Sequence, residues 1–347
     1  MGKKVTIKDV AAAAGVSHQT VSRVMNDRPD VAKETRRRVR KVIADLDYQP
    51  SDIARSLSRQ HSYTLGVVTA GLKYIGPSRT LNGITEKAEE LGYGLLLKEL
   101  PSFNTNDIKP ILNFLNSRQV DGIIWAVAEI GENHEHLQQL HRDISTPMVF
   151  LTMGTRKDMF IVAVDNYLGG RMAAEHLLEQ GFRKIGHISG PLDWWESRQR
   201  KSGWHDALSE AGIPEEEHHC ETGDWSSASG YAAMAQILKN FPQVDAVFIA
   251  NDQMALGALQ LTWQNNINVP EDIAVVGFDN LPESQYFWPP LTTVRQNLRH
   301  LGGRAVSELI RIIEANRNDN EVPPQVITLR PELVIRESSI KKLQPDL

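Results

Sequence analysis

From Thr64 to Asp279 one pattern recurs: a short, almost wholly apolar run, then a longer segment with helical spacing, then another apolar run. TLGVVTA, YGLLLKE, DGIIWAV and PMVFLTM come first, separated by helix candidates at 80–91, 106–117 and 133–143. KIGHISG, DAVFIAN and IAVVGFD continue it, interleaved with helix candidates at 166–180, 197–211, 228–239 and 252–265. Strands that are apolar throughout are buried on both faces, which requires a parallel sheet with helices on each side. The repeats suffice for two doubly wound parallel-sheet lobes, an α/β core. Ligands of such sheets bind beyond the carboxyl ends of the strands, so the residues just after each run are the candidates for function.

The residues before this core are built differently. Up to Ser62 the chain carries 13 Lys and Arg against 7 Asp and Glu, a net +6, while the rest carries 25 against 36, a net −11. A basic head can neutralise phosphates and release their counterions, and an acidic body avoids non-specific adhesion to nucleic acid. Thr6 followed by Asp9 reads as a capping box, Gly15 as a helix stop and Ser17 as the next N-cap. So short a turn makes the two helices cross steeply, as in a helix-turn-helix, and a third helix from about Ala32 to Asp45 completes an all-α headpiece. In VSHQTVSRVMN the apolar side chains Val16, Val21, Val24 and Met25 take one face, and Ser17, His18, Gln19, Ser22 and Arg23 the other, with Thr20 between them. Gln bonds adenine N6 and N7 and Arg bonds guanine O6 and N7, so this face suits a DNA major groove. SDIARSLSRQHS is too short to be a stable helix alone, but suits one that orders against the minor groove with Leu57 as an apolar wedge.

Polar and aromatic residues gather at the strand ends of the core: Trp125, Trp194, Trp195, Arg198, Arg200, Trp225, Asn251, Asp252, Asp279 and Asn280. Side chains that bond hydroxyls, beside flat apolar rings, suit a sugar or a similarly decorated planar molecule. Capping of the following helix is the plain alternative for Asn251 and Asp252, and packing is the alternative for the tryptophans. No motif of a nucleophile, P-loop, dinucleotide fold or zinc protease occurs, so no catalytic residue, metal or cofactor is expected. His218, His219 and Cys220 are read as a loop, because three neighbours cannot all face one ion. The single cysteine excludes an internal disulfide framework, and no apolar run reaches the ~18 residues of a membrane helix. MGKKVTIKDV lacks the apolar core of a signal peptide, and a cytoplasmic location is expected.

TIKDVAAAAGVSHQTVSRVMN, ADLDYQPSDIARSL, ISGPLDWWESRQRKSGW, GDWSSASGY, ANDQMALGALQ and VVGFDNLPESQYFWPPLTTVRQNLRHLG together resemble the LacI/GalR family of transcriptional regulators, colinearly from about Val5 to Ser338. The resemblance implies a DNA-binding domain over 1–49, a hinge helix and linker over 50–62, a core of the periplasmic-binding-protein type I over 63–340, and a tail over 341–347. Within the core it implies a first lobe of about 63–162 and 293–322, and a second of about 163–292 and 323–340. It assigns base reading to His18, Gln19 and Arg23, DNA contact also to Ser17, Thr20 and Ser22, and the minor-groove wedge to Leu57. Effector binding is implied for Arg200, Trp225, Asn251, Asp279 and Gln296, with Trp195 added, and for Ile75, Pro77 and Arg79 on a loop lining the same pocket. Thr152 stands where an acid is expected, Ala126 where an amide is, and Leu298 where an aromatic ring is.

The expected function is therefore a repressor that binds a palindromic double-stranded operator as a homodimer, without membrane contact. KKLQPDL is not leucine-rich, and a dimer rather than a tetramer is expected. A small sugar, a galactoside or another di- or oligosaccharide, would release it from the operator. The alternatives are a purine or other corepressor that tightens DNA binding and, further off, a solute-binding transporter component.

Overall fold

The structure is a computed structural model that describes residues 5–25, 28–48, 61–103, 108–131, 133, 145–214 and 219–340. It divides into two units, 1–63 and 64–347. In the first, helices Ile7–Ala14, His18–Met25 and Lys33–Asp45 surround Val10, Ala11, Ala14, Val21, Val24, Val39 and Tyr48. Full burial of each valine contributes roughly 1.5–3 kcal/mol, which carries a core this small. Thr6 and Asp9 form the expected capping box, Gly15 turns the chain at φ 63°, and Ser17 Oγ accepts from Thr20 N at 3.1 Å to start the second helix. The hinge segment with Leu57, most of the 133–143 helix candidate, His218 and the 341–347 tail lie outside the described residues.

The second unit contains two six-stranded sheets. The first is made of β1 (Thr64–Ala70), β2 (Gly94–Leu100), β3 (Gly122–Ala126), β4 (Met148–Leu151), β5 (Ile161–Val164) and β11 (Val326–Leu329), all parallel in the order β11-β5-β4-β3-β1-β2. The second holds β6 (Ile185–Ser189), β7 (Cys220–Thr222), β8 (Ala246–Ile249), β9 (Ala274–Phe278), β10 (Thr292–Arg295) and β12 (Glu332–Val334), in the order β12-β10-β9-β8-β6-β7. In this sheet β12 alone runs antiparallel to its neighbour.

Several expectations change here. The chain crosses between lobes at Asp165, at Gln296–Asn297 and at Arg330–Pro331, because β10 pairs with β9 of the second sheet and β11 with β5 of the first. Residues 293–295 thus belong to the second lobe and 326–329 to the first, the reverse of the expected division. Cys220 opens an edge strand on β6 rather than lying in a loop. The first core helix starts at Ile75, not near 80, so Ile75, Pro77 and Arg79 sit in its first turns rather than in a loop. Trp125 is buried in the core of the first lobe, 2% exposed.

Candidate functional site

A cavity of about 90 Å³ lies between the lobes. Its walls come from the carboxyl ends of the strands: Tyr74, Ile75 and Pro77 after β1, Ala126 and Ala128 at β3, Thr152 after β4, and Asn166 after β5. The second lobe adds Trp194 and Glu196 after β6, Trp225 after β7, Asn251 and Gln253 after β8, Asp279 after β9 and Gln296 after β10. The strand-end rule thus locates the site in both sheets at once.

Arg200 is the centre of its polar wall. Nε donates to Asn166 Oδ1 at 2.8 Å, Nη1 donates to the Ala250 carbonyl at 2.6 Å, and the guanidinium lies 3.8 Å from the Phe278 ring centroid. Asp279 stands 4.0 Å away, in a left-handed conformation at φ 108°, and accepts from Gln296 Nε2. Burial pushes the Asp279 carboxyl up, against Arg200, Gln296 and Arg79, which pull it down. Asn251 acts as the helix cap that was the plain alternative for it: Oδ1 accepts from Met254 N at 2.8 Å, while Nδ2 donates to the Trp225 carbonyl at 3.0 Å. Trp225 itself adopts φ 75°, and its ring occupies the space where a side chain at residue 190 would be, which requires Gly190.

The aromatic wall differs from expectation at one residue. Trp194 lines the cavity, whereas Trp195 packs on the core of the first lobe. Trp194 meets Tyr74 at 78°, Phe103 at 63° and Trp225 at 72°, an edge-to-face cluster shared by both lobes. A strap reinforces this contact. Ile130 pairs antiparallel with Trp194, Gly131 N donates to Asp193 O at 2.9 Å, and Trp195 N donates to Glu129 O at 3.0 Å. Arg79 does not line the cavity and acts on it only through its charge. Tyr74, Thr80, Asn166, Glu196 and Gln253 are lining residues that the sequence patterns did not single out.

In the other unit, Ser17, His18, Gln19 and Arg23 are exposed on one face of the second helix, and Thr20 and Ser22 are half-buried. Ser17 and Thr20 are engaged with each other as the cap, and Arg23 reaches Asp30 at 3.4 Å. His18, Gln19 and Arg23 are thus exposed together on this helix.

Two family models match: bacterial regulatory proteins, lacI family, over residues 6–51, and periplasmic binding protein-like domain, over 174–339. The HTH-type transcriptional repressor PurR of Edwardsiella ictaluri is 37% identical over 335 residues, which cover 96% of each chain. The chain belongs to the LacI family. Among solved structures, the lac repressor dimer bound to operator and the anti-inducer ONPF is similar with a TM-score of 0.87 at 31% identity, over 98% of this chain and 100% of that one. A CelR–cellobiose complex is similar with a TM-score of 0.70 at 30% identity, over 96% and 99%. As a LacI-family member the chain is a DNA-binding transcriptional repressor. Among the described residues no helix is long and apolar enough to cross a membrane.

Proposed function

We propose that this LacI-family repressor binds a palindromic operator as a homodimer and that a small glycoside in the inter-lobe cavity releases it. The observation that carries the effector reading is the cavity wall: the rings of Trp194 and Trp225 beside the hydrogen-bonding groups of Asn166, Arg200, Asp279 and Gln296. A pyranose has one apolar face and a rim of hydroxyls, and needs that combination. The rings meet edge to face, which suits a sugar better than a base held between two parallel rings. The neighbour solved with cellobiose supports the same class. A purine or other corepressor is the second reading, favoured by the relatives named PurR, which share more sequence with this chain than the cellobiose-bound neighbour does.

For DNA, we infer base contacts by His18, Gln19 and Arg23 and backbone contacts by Ser17, Thr20 and Ser22, with Leu57 as the wedge. Dimerisation supplies the second headpiece that a palindrome needs. Large exposed side chains on the second lobe, Tyr286 at 81% and Trp288 at 84%, suit a partner surface, and the operator-bound neighbour is a dimer.

Fluorescence anisotropy on a palindromic operator at ~0.15 M salt, with and without cellobiose, lactose and hypoxanthine, tests this. Release by a sugar is expected. Tightening by hypoxanthine establishes the corepressor reading instead, and a monomer in sedimentation at micromolar concentration overturns the dimer.

A further inference from the structure

Glu196 stands in the first turn of helix Trp195–Glu210 and lines the cavity. Its Oε2 is buried and has no hydrogen-bond partner. Around it are Arg200 on the same helix, Asp279 of the same lobe, and Glu129 of the first lobe. Their own contacts leave this oxygen unattended. Arg200 is directed to Asn166 and Ala250, and Glu129 takes Gly154 N at 2.9 Å and Arg156 at 3.1 Å, with Arg198 at 3.9 Å. A buried carboxylate oxygen without a donor is costly, and a cavity wall is where a ligand can supply that donor.

The charge of the cavity adds to this. Two carboxyl groups, Glu196 and Asp279, face one guanidinium among the lining residues, and Arg79 acts from outside the lining. An anionic ligand would add negative charge to a site where burial already holds both carboxyl groups back from ionising, and where repulsion is weakly screened.

We propose that Glu196 is the specificity-determining residue of the cavity: its free oxygen accepts hydrogen bonds from the effector, so the effector is neutral or cationic, presents donors there, and is never an acid or phosphate ester. This rests on the inter-lobe cavity being the effector site, and it holds whether the effector is a sugar or a base. Burial pushes the carboxyl up to about 7, against the pull of Arg200, so near neutrality it is half ionised. A ligand that donates to it favours the ionised form and expels protons on binding.

The test uses the full chain and a panel of cellobiose, lactose, glucosamine, glucuronate, glucose 6-phosphate and hypoxanthine. Thermal shift finds the binders, and calorimetry at pH 7 in two buffers of different ionisation heat counts protons. The expected result is binding by neutral or amino compounds only, with proton release from the wild-type chain. Glu196→Gln is expected to weaken the binder about tenfold or more and to abolish the release, since a hydrogen bond to a charged group contributes about 1.5–3 kcal/mol. Binding of glucose 6-phosphate or glucuronate, or proton release that Glu196→Gln leaves unchanged, overturns the assignment while leaving the sugar reading standing. Glu196-dependent binding of hypoxanthine does the opposite. A panel without any binder overturns both.

Discussion

His187 lies fully buried on β6, stacked between Trp204 and Phe248 at 5.2 and 4.8 Å, with Nδ1 bonded to the Phe248 carbonyl oxygen at 2.9 Å. Burial pulls its pKa from 6.5 to about 3. Between those values the unfolded chain takes up a proton that the native ring refuses. Its contribution is therefore full above pH 6.5 and declines toward pH 3, by up to about 1.4 kcal/mol per pH unit. Asp252 has the opposite sign. Though it accepts from Leu281 N, Ser284 Oγ and Thr293 Oγ1 at 2.6–2.8 Å, burial and then Asp279 push its carboxyl from 3.8 to about 7. The native state holds a proton there that the unfolded chain releases, so this contribution is full below pH 3.8 and declines as pH rises to 7. Between roughly pH 4 and 6.5 the two offset each other. Urea unfolding at pH 4, 5.5 and 7 should show His187→Gln less acid-sensitive than the wild type and Asp252→Asn more so; equal slopes in all three chains contradict both assignments. Single residues were unevenly legible in the sequence. Arg200, Asn251 and Asp279 stand at strand ends and could be found there, whereas Trp194 and Trp195 are adjacent, and only the direction of the helix entering at 195 decides which ring meets the cavity. Glu196 carried no signal because its meaning comes from neighbours distant in sequence.

Helices Asn166–Glu179 and Trp195–Glu210 carry the Asn166–Arg200 bond, and they cross glycine to glycine. A Cβ at Gly170 would lie 2.1 Å from the Arg200 carbonyl oxygen, and one at Gly203 would lie 2.0 Å from that of Tyr167. Neither oxygen can move without parting the backbones. Gly170→Ala and Gly203→Ala should each lower stability by about 1–3 kcal/mol or more and also weaken effector binding, because Arg200 and Asn166 ride on the displaced helices. Gly303→Ala is the control: its Cβ would meet Lys87 at an ordinary 3.6 Å, and the helix gains propensity. Differential scanning calorimetry should show a drop for the first two and none for the third. At this scale the long apolar strands announced themselves, since burial on both faces leaves no polar interruption. β5, β7, β10, β11 and β12 are only three or four residues long, and TTVR or CET reads as polar loop until a neighbouring strand pairs with it. The start of helix Ile75–Glu90 was missed because the family resemblance put Ile75, Pro77 and Arg79 on a loop, although proline is at ease in a first helical turn.

The three crossings of the core bear on how a ligand could move the lobes. Asn166 follows the first crossing and Gln296 stands in the second, and both line the cavity. The third, Arg330–Pro331, ties β11 in one sheet to β12 in the other through two residues. A ligand bridging the walls therefore acts on the hinge residues themselves, and any preference for one lobe angle is returned as a change in affinity. If the effector weakens operator binding by some factor, operator weakens effector binding by the same factor. The crossings were legible only as a family expectation, because which sheet receives 292–295 or 326–329 is decided by pairing across the molecule. The strap from Asp193 to Trp195 was not legible at all. It adds a fourth link between the lobes, opposite in kind to the crossings because it can be broken. Ile130 and Trp194 form the non-hydrogen-bonded pair of this antiparallel bridge, where Cα atoms lie about 4.5 Å apart, within reach of a disulfide. A chain carrying Ile130→Cys and Trp194→Cys, with Cys220→Ser to remove the native thiol, should oxidise completely without ligand. Its operator affinity should then become insensitive to an effector to which its own reduced form responds, and dithiothreitol should restore that response. Free thiols persisting under mild oxidant mean that the strap is open in the unliganded protein. A cross-linked chain that still responds means that the lobes transmit the signal without moving at this edge.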